Sequence, residues 1–203
     1  MIKLPFFNNK QKVWVGPLGI VAFMVFYMIP NHLSLFQVHY LHMFEFEKNI
    51  SFMDWSVWFY MSDYLYIAVV FTLLKNFENM NKIFYAQMMM LVFTMLVFLF
   101  YPTAYPRPVV EYTGVTGAFV QLLHSLDTPG NAFPSVHVGM TFLAGFGFIK
   151  EQRRWLFLFM VWAIFISVST LTLKQHYVLD VIYGFIMAVV FYYVGQRLIS
   201  NRR

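Results

Sequence analysis

The chain contains no cysteine in 203 residues. A disulfide framework is therefore excluded, and zinc–thiolate sites with it. Charge is also scarce: Asp, Glu, Lys and Arg make up 11% of the residues, where an average globular domain carries roughly 25%. A soluble globule of this size would lack the polar residues to cover its surface. What is abundant points the same way. Hydrophobic residues make up 60% of the chain and aromatic ones 21%, a load that excludes disorder. The formal net charge of +5 would suggest a nucleic-acid partner in a soluble protein. Here it reports on topology, and no nucleic-acid role is expected. What remains is an integral membrane protein, all-α, forming one domain over residues 1–203.

Charge-free gaps mark the spans. Uncharged stretches of 32, 24, 22, 19 and 16 residues separate Lys12 from Glu45, Lys82 from Arg107, Asp127 from Lys150, Arg154 from Lys174, and Asp180 from Arg197. A further apolar region, about 57–74, is broken only by Asp63. Crossing about 30 Å of hydrocarbon takes roughly 20 mostly apolar residues. Only helices or closed barrels satisfy their backbone in lipid, and these runs are too long for barrel strands. Six transmembrane helices are predicted, at about 14–30, 57–74, 83–101, 134–149, 155–173 and 177–197. Pro30, Pro102 and Pro134 stand where helices should end or begin. The first span reads as uncleaved, because no small-x-small pattern follows Met28-Ile29-Pro30-Asn31.

With the N-terminus inside, eleven of the 14 basic residues fall on inner segments, leaving only Lys48, Arg107 and Lys174 outside. This asymmetry predicts that both termini are cytoplasmic. The membrane would be a bacterial inner membrane, or another whose outer side is periplasmic, lumenal or extracellular. The second outer loop, about 102–133, exceeds the ~12–15 residues beyond which loops are usually functional or disordered. Its apolar stretch Gly117 to Leu126 suits a short helix lying in the interface.

Three segments should meet at the outer face: Tyr105-Pro106-Arg107-Pro108, then Phe133-Pro134-Ser135-Val136-His137, then Ser169 through Asp180. If the last helix begins near His176, then His176 and Asp180 lie one turn apart on one face. The carboxylate would accept one imidazole N–H, fixing the tautomer and leaving the other nitrogen as nucleophile or base. Pro134 and Ser135 suit a helix start, whose free N–H groups seat a phosphate. His137 would stand beside that seat. Arg107 offers a planar fork for phosphate oxygens, and Lys174 a second cation. Two histidines, a carboxylate, two cations and a helix N-terminus suit phosphoryl transfer, where positioning and charge stabilisation do most of the work.

The Arg-Pro, Pro-Ser-x-His and His-x-x-x-Asp elements, in that order, resemble the type-2 phosphatidic acid phosphatase (PAP2) superfamily, whose pattern is K-x6-R-P, P-S-G-H and S-R-x5-H-x3-D. Three positions depart from it: Phe100 replaces the Lys, Val136 the Gly, and Thr170 the Arg beside Ser169. The forms F-P-S-x-H and S-T-x-x-T-x-x-H-Y-x-x-D resemble the branch that contains inositol phosphorylceramide synthases. The resemblance implies a six-helix bundle of PAP2/vanadium-haloperoxidase-like type. It implies that His176 attacks phosphorus, that Asp180 orients it, and that His137 protonates the leaving group and then activates the acceptor. It further implies that Arg107, Lys174 and Ser135 bind the phosphate, with Lys174 compensating for one lost cation. No metal or other cofactor is implied. The partner would be a lipid phosphate entering sideways from the outer leaflet, among membrane lipids; the oligomeric state is left open.

Plainer readings stand beside these. His32, His39, His42 and His124 read as packed or interfacial residues. Arg107 and Lys174 can be interface anchors, and Ser135 only a helix cap. Asp63 is either an orienting partner behind the site or a solvated residue at the membrane boundary. Ser169 is a further candidate for that orienting role. A zinc site at the histidines is disfavoured by the adjacent cations. Hydrolysis of a lipid phosphate or diphosphate leads, transfer of a phospho-headgroup to a lipid acceptor comes second, and a non-enzymatic lipid-phosphate binder or transporter third.

Overall fold

In hydrocarbon, each unpaired backbone group costs several kcal/mol, and the chain meets that demand with helices. The computed structural model describes residues 2–33, 35–126 and 130–201. Arg202 and Arg203, counted among the inner cations, lie outside the described residues, as does Asp127, which opened the third charge-free gap. The helices are α1 (Lys12–Asn31), α2 (Glu45–Lys48), α3 (Val57–Leu73), α4 (Phe77–Phe100), α5 (Gly114–Leu126), α6 (Val136–Gly145), α7 (Arg153–Thr172) and α8 (Val178–Leu198). Short strands β1 (Ile2–Leu4), β2 (His39–Tyr40), β3 (Thr103–Ala104) and β4 (Ile199–Asn201) make two parallel pairs, β1 with β4 and β2 with β3.

Among the described residues, five helices are long and apolar enough to cross a membrane: α1, α3 with its leading 3-10 turn, α4, α7 and α8. The sixth span, expected at about 134–149, lies close to that range and is shorter than these five. It consists of α6 and a 3-10 continuation, Phe146–Lys150. Its surroundings explain the difference, for every residue of α6 is buried and the helix packs against α3, α4, α7 and α8. A helix wrapped in protein need not match the bilayer in length. The start of α4 also differs from the expected residue 83. Asn76 caps the helix by accepting the Asn79 N–H at 3.0 Å, and Glu78 pairs with Lys82 at 2.5 Å. Reading spans by charge gaps hid this first turn and a half, because an (i, i+4) ion pair is at home at a helix end.

The connections sort by end. At one end, Lys75 N–H and Asn76 N–H donate to the Glu151 carboxylate at 3.0 Å. Asn79 Nδ2 donates to the Gly147 carbonyl at 2.6 Å, and Gln196 Nε2 to Asn79 Oδ1 at 2.7 Å. The β1–β4 pair brings both terminal segments to this same end. At the other end, Met53 N–H donates to Thr172 O at 3.1 Å, and Ala132 N–H to Thr103 O at 2.9 Å. Here α5, a helix in the long loop as expected, packs Val120 against Val57, Tyr60 and Leu173.

Helix α8 passes the start of α6 so closely at Gly184 that a Cβ there would lie 2.5 Å from the Ser135 carbonyl oxygen. Lipid tails are as apolar as leucine, so no hydrophobic drive holds membrane helices together, and small residues permit the close packing that does.

Candidate active site

The two N-termini that meet at this crossing carry the predicted chemistry. Ser135 caps α6: its Oγ accepts the Val138 N–H at 3.5 Å, and its own N–H donates to the Asp180 carbonyl at 3.1 Å. Pro134 therefore lies ahead of the cap rather than in the first turn. His137 follows as the second helical residue.

At α8 the helix starts at Val178, so His176 stands outside it. The pairing of His176 with Asp180 has a different origin from the shared helical face that was expected. Asp180 is the third residue of α8, and its Oδ2 reaches back to accept the Tyr177 N–H at 2.8 Å, as third-position acids do at helix starts. That brings the same oxygen 3.2 Å from His176 Nδ1. A second acceptor is closer still: the Ala132 carbonyl, 2.8 Å from Nδ1. A carbonyl can only accept, so Nδ1 carries the hydrogen and Nε2 keeps its lone pair. Asp180 is fully buried, and its Oδ1 has no hydrogen-bond partner.

The His137 and His176 ring centroids are 6.4 Å apart, with planes at 60°. This separation lets the two imidazoles flank one tetrahedral anion. His137 is enclosed by rings, with Tyr60 4.4 Å and Phe23 5.4 Å away, centroid to centroid. Tyr60 Oη lies 3.4 Å from its Nδ1.

The predicted cations are present but engaged. Arg107 donates from Nη1 to the His124 carbonyl at 3.1 Å and from Nη2 to Gln175 Oε1 at 3.2 Å. Gln175, next to His176, also donates from Nε2 to His124 Nε2 at 2.7 Å. His124 Nδ1–H then faces the Tyr112 hydroxyl at 2.7 Å. Burial, aided by the Arg107 charge, lowers His124 from 6.5 to about 4, so it stays neutral and keeps accepting from Gln175. His124 is thus more than a packed residue: it pins α5 to the His176 turn.

Lys174 Nζ donates to the Glu47 carbonyl at 3.3 Å. Burial lowers its ammonium from the ordinary range, and the Glu47 charge acts in the opposite direction. Its backbone is left-handed, at φ 56°. The Lys174 N–H bonds to Leu171 O at 3.1 Å and the Gln175 N–H to Thr170 O at 3.0 Å, the pairing that closes a helix where glycine usually stands. A side chain in this conformation costs roughly 1–2 kcal/mol. Lys174→Gly should therefore unfold later than Lys174→Ala, by about 1 kcal/mol, since both lose the ammonium and only glycine relieves the strain. Thermal unfolding in detergent measures this; equal stabilities would show that the turn is unstrained.

Asp63 is not a solvated boundary residue. It is 3% exposed, lines a small cavity with Gly19 and Met140, and leaves Oδ1 unpaired. It lies one helical turn past Tyr60. Ser169 spends its hydroxyl on the Ile166 carbonyl at 2.6 Å, and the neighbouring Thr170 carbonyl, rather than Ser169, holds the His176 turn. Among the described residues, no group of three or more His, Asp or Glu could hold a metal ion.

A family model described as the PAP2 superfamily matches residues 26–194. The chain belongs to the PAP2 superfamily. No curated protein and no solved structure matches it. PAP2 membership suggests a phosphatase-type function. The matched region contains all three motif segments of this PAP2 chain, and with them both histidines.

Three residues around the PAP2 motifs escaped the sequence reading. Glu47 is buried and accepts the Val178 N–H at 3.0 Å and the Phe44 N–H at 3.2 Å, capping α8 from the first long loop. Gln175 ties Arg107 to His124. Tyr60 backs His137. None has a local signal beyond Gln175 adjoining His176: Glu47 and Tyr60 reach the site across 131 and 77 residues.

Proposed function

We propose that the protein is a membrane phosphatase that cleaves a lipid phosphate or diphosphate through a phosphohistidine at His176. The observation that carries this reading is the pair of imidazoles 6.4 Å apart, with His176 Nδ1 tied to two acceptors so that Nε2 is the nucleophilic nitrogen. In the first step Nε2 bonds to phosphorus and the P–O bond to the leaving group breaks. His137 gives that oxygen its proton. The imidazolium charge on His176 is held at Nδ1–H by Ala132 O and Asp180. In the second step His137 takes a proton from water, the oxygen attacks phosphorus, and inorganic phosphate leaves as Nε2 recovers its lone pair. Arg107, Ser135 with the first-turn amides of α6, and the Lys174 charge stabilise the phosphate oxygens.

The same reading places the site on the outer side of a bacterial inner membrane, with α6 completing six crossings and both termini cytoplasmic. The basic residues support it: of the 12 among the described residues, nine sit on segments grouped at the terminal end. The Phe-Pro-Ser-x-His form keeps transfer to a lipid acceptor, as in inositol phosphorylceramide synthases, as the second reading. Both share the first step. Purified protein, with chelator present, should release phosphate from a prenyl diphosphate or a lipid phosphate, and vanadate should inhibit it. A new labelled lipid instead of free phosphate would favour transfer; neither product would refute the enzyme.

A further inference from the structure

A cavity of about 320 Å³ opens between α1, α3 and α5, and His137 forms part of its wall. Beside His137 it is lined by the rings of Phe23, Tyr27, Tyr60 and Tyr64. At its far side stand Met24, Met61 and Leu122, which are 46%, 37% and 52% exposed on the helix faces turned away from the core. The cavity thus runs from an imidazole to the surface that meets lipid. Apart from that imidazole and the tyrosine hydroxyls, its lining is apolar. An amphiphile with its phosphate at the histidines would have its chain here.

Volume sets how much chain fits. A cavity of ~150 Å³ takes one benzene, so about twice that space takes roughly a dozen carbons. We propose that this cavity is a chain-binding site for a single hydrocarbon chain, and that the substrate class is single-chain lipid phosphates rather than two-chain ones. The inference rests on the phosphatase reading and deepens it. The methionines suit the role: their flexible thioethers adapt to a chain of variable kink and pack well on aromatic edges.

The test compares n-alkyl phosphates from butyl to hexadecyl with dioleoyl phosphatidic acid, using the full chain in detergent and the variants Met61→Trp and Leu123→Trp. In the wild type, kcat/KM should rise with chain length and level off near about twelve carbons, with the two-chain lipid well below dodecyl phosphate. In either variant the dodecyl-to-butyl ratio of kcat/KM should fall about tenfold or more, since each displaced methylene is worth about fourfold. A dodecyl phosphate carrying a diazirine at its chain end should label α1, α3 or α5. A ratio unchanged in both variants, no plateau, or phosphatidic acid turned over as fast as dodecyl phosphate overturns the proposal. Turnover with labelling elsewhere removes the chain site and leaves the phosphatase reading intact. Labelling at these helices without turnover of any phosphate does the reverse.

Discussion

Replacing His176 by alanine is expected to lower phosphate release by about 10⁴-fold or more, as loss of a covalent nucleophile does. Replacing His137 should cost less, about 10²–10⁴-fold, and the loss should depend on the leaving group. A good leaving group needs no proton, so p-nitrophenyl phosphate should still phosphorylate His176 in His137→Ala and then stall, giving a burst of nitrophenol and a trapped phosphoenzyme. Wild-type-like turnover in His176→Ala would remove the proposed nucleophile. Wild-type-like function in a His176→Ala/Asp180→Ala double variant would favour a lipid-phosphate binder, which needs the cations and not this pair.

Gly184→Val is expected to separate the two histidines without touching either. The added Cβ would press on the Ser135 carbonyl at 2.5 Å, and backbone cannot swing aside as a side-chain tip can. Overpacking of this kind costs about 1–3 kcal/mol. If α8 shifts on α6 by about 1 Å, turnover should fall about 100-fold. Gly184→Ala should show the same effects in smaller measure, with kcat falling more than the thermal midpoint suggests. Full activity in a folded Gly184→Val protein would show that this crossing does not set the distance between the imidazoles.

Legibility followed locality. The charge-free gaps located the long helices because burial in lipid demands apolar length from each segment by itself. They misplaced the start of α4, whose first turns carry Glu78 and Lys82, and they located α6 with its 3-10 continuation to within two residues without revealing that protein surrounds it, because an apolar run does not distinguish lipid from protein. The Pro-Ser start of α6 was readable because capping is local. So was the closeness of His176 to Asp180, although it was attributed to a helical face and arises from the carboxylate reaching back to the Tyr177 amide.

The bare amino-acid order determined the solvent, since a chain with 11% charged residues has nothing with which to cover itself in water. It also determined the motif residues and that they gather at one end, because alternating helices return every second connection to the same side. Only the tertiary structure decided which groups touch them. Ala132 as the nearer acceptor for His176, Glu47 capping α8, Tyr60 beside His137 and the glycine crossing that spaces the imidazoles all join segments far apart in the chain. Their pairing depends on how helices pack, and helix packing in lipid depends on shape, which a linear pattern of polarity does not encode.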